Sequence, residues 1–227
     1  MMKLTLSFLI TLLAATSISS ASQPMQWTQT GMVSTALGSV WDTLGDGGVH
    51  PGTLFALTLI YDPNTPAFPA YSGSYPGAIL SAALSLGNNS FQFDVGKPAS
   101  SSRIDVIDSY TFVFNGAEGY YWFVNSSGAQ NGLTNLSLEG HLFSSDASLF
   151  PSTDLDVQNL AISQFDEAHS VSFSGLDSAV GASQILDMTV TGYSVTPVPE
   201  PGGEAIFAAG VVGIVVARAK ARFQRSR

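Results

Sequence analysis

The chain has 227 residues, 45% of them hydrophobic and 11% charged, with 22 Gly, 11 Pro, no Cys and a formal net charge of −9. That length suffices for one domain with a sizeable core, and the lack of Cys excludes a disulfide scaffold, so packing must hold the fold. The acidic excess argues against nucleic acid or anionic lipid as a partner, since both would be repelled.

Met1-Met2-Lys3 is a short basic start. It is followed by twelve mostly apolar residues, Leu4 to Ala15, and by small residues at Ser19 and Ala21, where a cleavage site needs them. This order of features predicts a secretory signal peptide over residues 1–21, too short to be a stable anchor. With no Cys after the cut, a bacterial lipoprotein is excluded. From Ser22 to Pro197 only Lys97 and Arg103 are basic, against 15 Asp and Glu, so the exported body carries 2 − 15 = −13.

The body reads as short strands. Trp27 to Val33 alternates weakly, with Gly31 a candidate bulge. Val40 to Pro51 reads as a glycine-rich loop. Leu54 to Tyr61 puts Phe55, Leu57, Leu59 and Tyr61 on one face and stops at Asp62-Pro63-Asn64, a strong turn. Thr65 to Gly77 reads as a long loop. Ile79 to Leu86, with Leu80, Ala82, Leu84 and Leu86 on one face, pairs through Gly87-Asn88-Asn89 with Phe91, Phe93 and Val95 as a hairpin. Ile104 to Phe114 is the longest strand, and Tyr120 to Val124 and Leu136 to Leu142 follow. Val157 to Ile162, Val171 to Phe173 and Ile185 to Val195 complete the set. In the last, the apolar face switches parity at Gly192, as a bulge would cause. Nine or ten strands without a convincing amphipathic helix predict an all-β fold, an antiparallel β-sandwich for which a jelly-roll-like form is one option.

The body carries little chemistry. His50, His141 and His169 are too scattered for a zinc site, although His141 shares a predicted face with Glu139. Asp154-Leu155-Asp156 opens like a calcium loop, but Asn159 replaces the turn glycine and Phe165 the bidentate Glu. Asp42 and Asp46, among glycines, are the other place Ca²⁺ could sit; otherwise no cofactor is expected. Asp105/Asp108 and Asp166/Glu167 are the pairs a hydrolase would offer, and a glycosidase would need two carboxyls facing each other across a cleft. Tyr120 and Trp122 share one strand face, and Tyr121 and Phe123 the other. An exposed Tyr120/Trp122 pair would stack on sugar rings, whereas a strand buried on both faces explains the same letters without a ligand.

The end of the chain is the most informative part. Val198-Pro199-Glu200-Pro201 precedes an uncharged run from Ala205 to Ala217, and then Arg218, Lys220, Arg222, Arg225 and Arg227. As a helix the run would be about 20 Å long, short of a ~30 Å hydrocarbon core unless Arg218 and Lys220 snorkel. Bases at its end predict a cytoplasmic C-terminus and an exterior body. This stretch resembles the PEP-CTERM sorting signal of Gram-negative bacteria. Pro199, Glu200 and Pro201 match its motif, Gly210 and Gly213 the small residues of its helix, and the five bases its terminal cluster.

The resemblance implies processing by the membrane enzyme exosortase, an inner-membrane-anchored precursor, and a mature protein at the cell surface accompanying exopolysaccharide and biofilm. The expectation is thus a non-catalytic surface or matrix protein in three parts: residues 1–21 the signal, 22–197 the body and 198–227 the sorting tail. A carbohydrate-binding module or adhesin is the alternative, and a secreted hydrolase the less favoured one.

Overall fold

Alternating apolar and small polar residues give antiparallel strands with one face turned inward. The computed structural model describes residues 23–45, 47–68, 73–95, 102–107, 117–150 and 152–199. It contains β1 (Met25–Leu37), α1 (Ser39–Thr43), β2 (Leu54–Tyr61), β3 (Ser74–Pro76), β4 (Ile79–Leu86), β5 (Asn89–Phe93), β6 (Ser102–Ile107), β7 (Glu118–Ser126), β8 (Leu133–Ser144), β9 (Ala168–Asp177) and β10 (Ser183–Pro197). The fold is therefore all-β and antiparallel, with little helix. Its strands join in one sheet, ordered β3-β6-β7-β8-β9-β10-β1-β2-β4-β5, where the sequence suggested two stacked sheets.

The sheet curls until its ends meet. β3 and β4 lie near opposite ends of the strand order, yet only Gly77 and Ala78 separate them in the chain. Gly77, at φ 76°, donates its N–H to Ser102 O at 2.9 Å, while Ala78 O accepts from Asp62 N at 2.9 Å. Two consecutive residues thus tie the β6 end to the β2 end. The other open flank, β5, is clamped by side chains from the β7–β8 turn. The Gln130 amide bonds both the N–H and the carbonyl of Gln92, and Asn131 Nδ2 donates to Ser90 O at 3.1 Å. Edge backbone groups that could template aggregation are occupied by these side chains instead.

Inside lies one aromatic core. Trp27 and Gln29 of β1 face Trp122 of β7 across the interior, and all three are buried. The Gln29 amide is assigned with its oxygen toward the indoles, since the reverse would oppose donors to donors. It then accepts from Trp122 Nε1 at 3.1 Å and Trp27 Nε1 at 3.3 Å. Gly140, opposite Trp122 on β8, leaves room for that ring; a Cβ there would overlap its six-membered half. At one end of the sheet α1 inserts Trp41, whose ring lies 5.6 Å from that of Phe173. Gln184 supports α1 by accepting from Val40 N at 3.1 Å.

The bulge expected near Gly192 is found, whereas Gly31 is a paired residue and the irregularity of β1 itself falls at Ser34. Thr30 pairs with Gly192 and Gly31 with Val190, so Thr191 is the extra residue and parity changes there. Other expectations need correction. Leu80 is 49% exposed because the β2–β4 register slips between Ile60 and Tyr61, turning Ile79 inward in its place. The loops expected at Val40–Pro51 and Thr65–Gly77 contain α1 and β3. Val157–Ile162 is no strand but part of the long β8–β9 connection. Thr196 and Pro197, beyond the expected last strand of Ile185 to Val195, pair with Gln26 and Met25 at the end of β10. The expected continuation of β6 to Phe114 lies outside the described residues.

Replacing Gly140 by Ala should lower stability by about 1–3 kcal/mol through overpacking against Trp122. Urea unfolding measures this, and a change below about 0.5 kcal/mol, typical of a surface substitution, would contradict the packing described.

Candidate functional site

At the end of the sheet opposite α1, the β8–β9 connection crosses the mouth as a strap. Its apolar residues point inward, with Phe150, Leu155, Val157 and Phe165 all buried. Asp166 fixes the strap's start, accepting from Ser145 N at 2.8 Å and Ser145 Oγ at 2.6 Å. These bonds from Ser145 hold the Asp166 carboxyl below its ordinary pKa. Asp146 likewise accepts from Ser148 N and Oγ, at 3.0 and 2.7 Å, with the same effect on its pKa.

Strand tyrosines grip the strap's backbone. Tyr75 OH donates to Thr153 O at 2.6 Å. Tyr120 OH donates to Asp156 O at 3.2 Å and accepts from Gln158 N at 2.9 Å. Asn159 Oδ1 accepts from Val195 N at 3.3 Å. Burial pushes Tyr120 up to about 12 and raises Tyr75 too. Tyr61 and Tyr193 are raised beyond the ordinary tyrosine range, chiefly by burial and then by Tyr120.

Beside the strap is a cleft of about 690 Å³. Tyr61, Tyr75, Asp154 and Asp156 line it, as do Gln23, Met25 and Pro197 from the two ends of the described body. Val198 N donates to Pro24 O at 2.9 Å, so both ends of the body emerge together at this mouth.

A second constellation lies on the outer face of β6, β7 and β8. Arg103 Cζ sits 4.7 Å from the Phe123 ring centroid and 5.7 Å from that of Tyr121, and Arg103 Nε is 2.7 Å from Asp105 Oδ2. Tyr121 OH donates to Glu139 Oε2 at 3.3 Å, and its ring is 5.1 Å from that of His141. Desolvation lowers the His141 pKa, with the Glu139 charge opposing, and burial raises that of Tyr121. The side chains are half-buried, and Arg103 Nε, Asp105 Oδ1 and His141 Nε2 are themselves shielded from solvent.

The structure separates the expected site residues. Tyr120 and Trp122 do share a face, but it is the core face and both are fully buried, so they cannot stack on an external sugar. Their neighbours Tyr121 and Phe123 hold the outer position instead. His141 and Glu139 share that face, as expected. Asp42 lies 3.8 Å from His50, both exposed, while Asp46 is outside the described residues. Asp154 Oδ2 accepts from Ser152 Oγ at 3.2 Å. Asp105 pairs with Arg103, and its expected partner Asp108 is not described. Asp166 is a cap for the strap.

Among the described residues no three His, Asp or Glu form a metal-holding group. No helix among them is long and apolar enough to cross a membrane. Ser19, Ala21, Glu200, Pro201 and the whole stretch from Gly210 to Arg227 lie outside the described residues. Comparison with protein-family models, curated proteins and solved structures gives no match.

Raised tyrosine pKa values mean that the folded chain keeps protons that the unfolded chain releases near pH 10. Fewer protons on the unfolded state make stability fall with rising pH, so it is intact below pH 10 and lost above it. Urea midpoints should be level from about pH 7 to 9 and drop beyond about pH 10. Tyr120→Phe should flatten that drop and cost about 1–3 kcal/mol at neutral pH, because two strap backbone groups lose their partner. Normal titration of every tyrosine near pH 10 with the fold retained would contradict this burial.

Proposed function

We propose that this is an exported, non-catalytic surface or extracellular-matrix protein whose tail is cut by an exosortase. In this reading residues 1–21 are a signal helix and residues 198–227 a sorting signal. Its membrane helix, Ala205 to Ala217, holds the precursor in the inner membrane until the chain is cut near Pro199-Glu200-Pro201. We read the curled sheet as a sandwich variant, with β1, β2, β4 and β5 facing β6 to β9. The observation that carries the proposal is the order of features at the C-terminus: Pro-Glu-Pro, then an uncharged run, then five bases within ten residues. A basic start and apolar run at the other end agree with it. The protein is the substrate of the cut, so it needs no catalytic residues of its own.

Intact-mass analysis of the protein from an exosortase-bearing host should show a start near Ser22 and loss of everything after the Pro-Glu-Pro motif. Deleting the exosortase should restore the basic tail. Full-length protein in both strains would overturn the reading.

The outer constellation favours a second reading, a carbohydrate-binding face. Rings flanked by Arg103, Asp105 and Glu139 offer apolar contact to a sugar face and hydrogen bonds to its hydroxyls. Retention on the host's exopolysaccharide should then fall by about tenfold in Tyr121→Ala, equivalent to one good contact of about 1.4 kcal/mol. Unchanged retention would remove this reading.

A further inference from the structure

Two segments proposed to enter the membrane flank the body, and the structure brings their attachment points together. Met25 pairs with Pro197 at the ends of neighbouring strands β1 and β10, and Val198 N–H bonds to Pro24 O at 2.9 Å. β1 and β10 stand in the interior of the strand order, flanked by β2 and β9, so this junction is fixed to the body and is not a loose edge. Only seven residues, Val198 to Glu204, separate it from the apolar run. Fully extended, they reach about 24 Å, less than the width of a small domain.

We propose that the precursor stands on the bilayer with its strapped mouth down. The cleft between Ala67, Asp156 and Pro197 then faces the membrane, and the far turn around Val180 points away from it. This rests on the membrane-anchored reading above and adds an orientation to it. The strand directions give the geometry. β1, β4 and β7 run away from the mouth and β2, β8 and β10 toward it, so the β4–β5, β7–β8 and β9–β10 turns all lie at the distal end. Asp62, Asp154, Asp156, Asp166 and Glu167 lie on the connections at the mouth, and the described residues there include no Lys or Arg. An acidic rim held this near anionic headgroups repels them, so the tether, and not adhesion, brings the mouth to the membrane. A consequence is that any membrane-embedded enzyme reading the Pro199–Pro201 segment meets the rim of this cleft.

The chain has no Cys, so single cysteines can be placed cleanly. Ala67→Cys and Ser152→Cys mark the mouth, both at exposed positions, and Val180→Cys, 73% exposed in the parent, marks the far end. Full-length protein in phosphatidylcholine vesicles is treated with a bulky polyethylene-glycol maleimide. Because the tether reaches no more than about 24 Å, the two mouth sites should label about fivefold more slowly than the distal one. Inserting about 30 Gly/Ser residues between Gly202 and Gly203 adds a coil of roughly 30 Å and should equalise the rates. Equal rates in the parent chain, or a difference that survives the insertion, would overturn the orientation. Protein that does not float with the vesicles would remove the anchored reading itself, and the orientation with it.

Discussion

The Gln29 side chain bridges two walls of the sheet. β1 and β7 are separated by β8, β9 and β10 in the strand order, so a bond from Gln29 to Trp122 is possible only if the sheet curls far enough to bring those walls face to face. Two indole N–H groups and one amide are buried there, beyond the reach of water. Each would cost about 1–3 kcal/mol if left buried and unpaired, so compact arrangements of the same strands that bury these groups apart are disfavoured. The surrounding rings meet edge to face, with Trp27 5.6 Å from Tyr120 and 6.3 Å from Trp122, and fix the separation at which the amide fits. Gly140 belongs to this arrangement because it leaves the space that the Trp122 ring occupies.

Curling the sheet leaves two ends and a seam, and each is closed differently. Trp41 of α1 fills one end, the tyrosine-held strap the other, and the seam is joined by Gly77-Ala78 and the Gln130 clamp. A chain without disulfides thereby covers strand edges that would otherwise be free to pair with another copy. Most of the described acids lie at the surface, Glu118 being the buried exception, and the −13 between Ser22 and Pro197 favours solubility. β1 and β10 remain paired at the centre, and their ends bring Met25 and Pro197 to one mouth.

Much of this was legible in the sequence because one buried face gives a period of two. Leu54 to Tyr61 and Phe91 to Val95 point as their alternation says, and the parity change near Gly192 marks a real bulge. What alternation cannot give is the partner. Leu155 and Val157 alternate inward like strand residues, but the backbone beside them, at Asp156 and Gln158, is bonded to the Tyr120 hydroxyl and not to a neighbouring strand. Leu80 reads as inward by alternation, but it is itself the extra residue where β4 slips against Ile60 and Tyr61 of β2, and that register depends on the partner strand. The Tyr120-Tyr121-Trp122 run gave the two faces correctly but not which one is the core, since both carry aromatics. Trp122 faces inward because Gly140 makes space for it, and Tyr121 faces outward toward Glu139 and His141. Gln29 gave no signal, because one glutamine in a threonine-rich strand does not announce that it will meet two indoles across the molecule.

The most direct test is a double-mutant cycle on the bond across the interior, using Gln29→Leu, Trp122→Phe and the two together in urea unfolding. If the amide joins the two walls, each single change strands a buried partner. The double mutant should then lose less than the sum of the singles, by about 1–2 kcal/mol. Effects that add to within about 0.5 kcal/mol would mean the two side chains do not interact, and the closure described here would not stand.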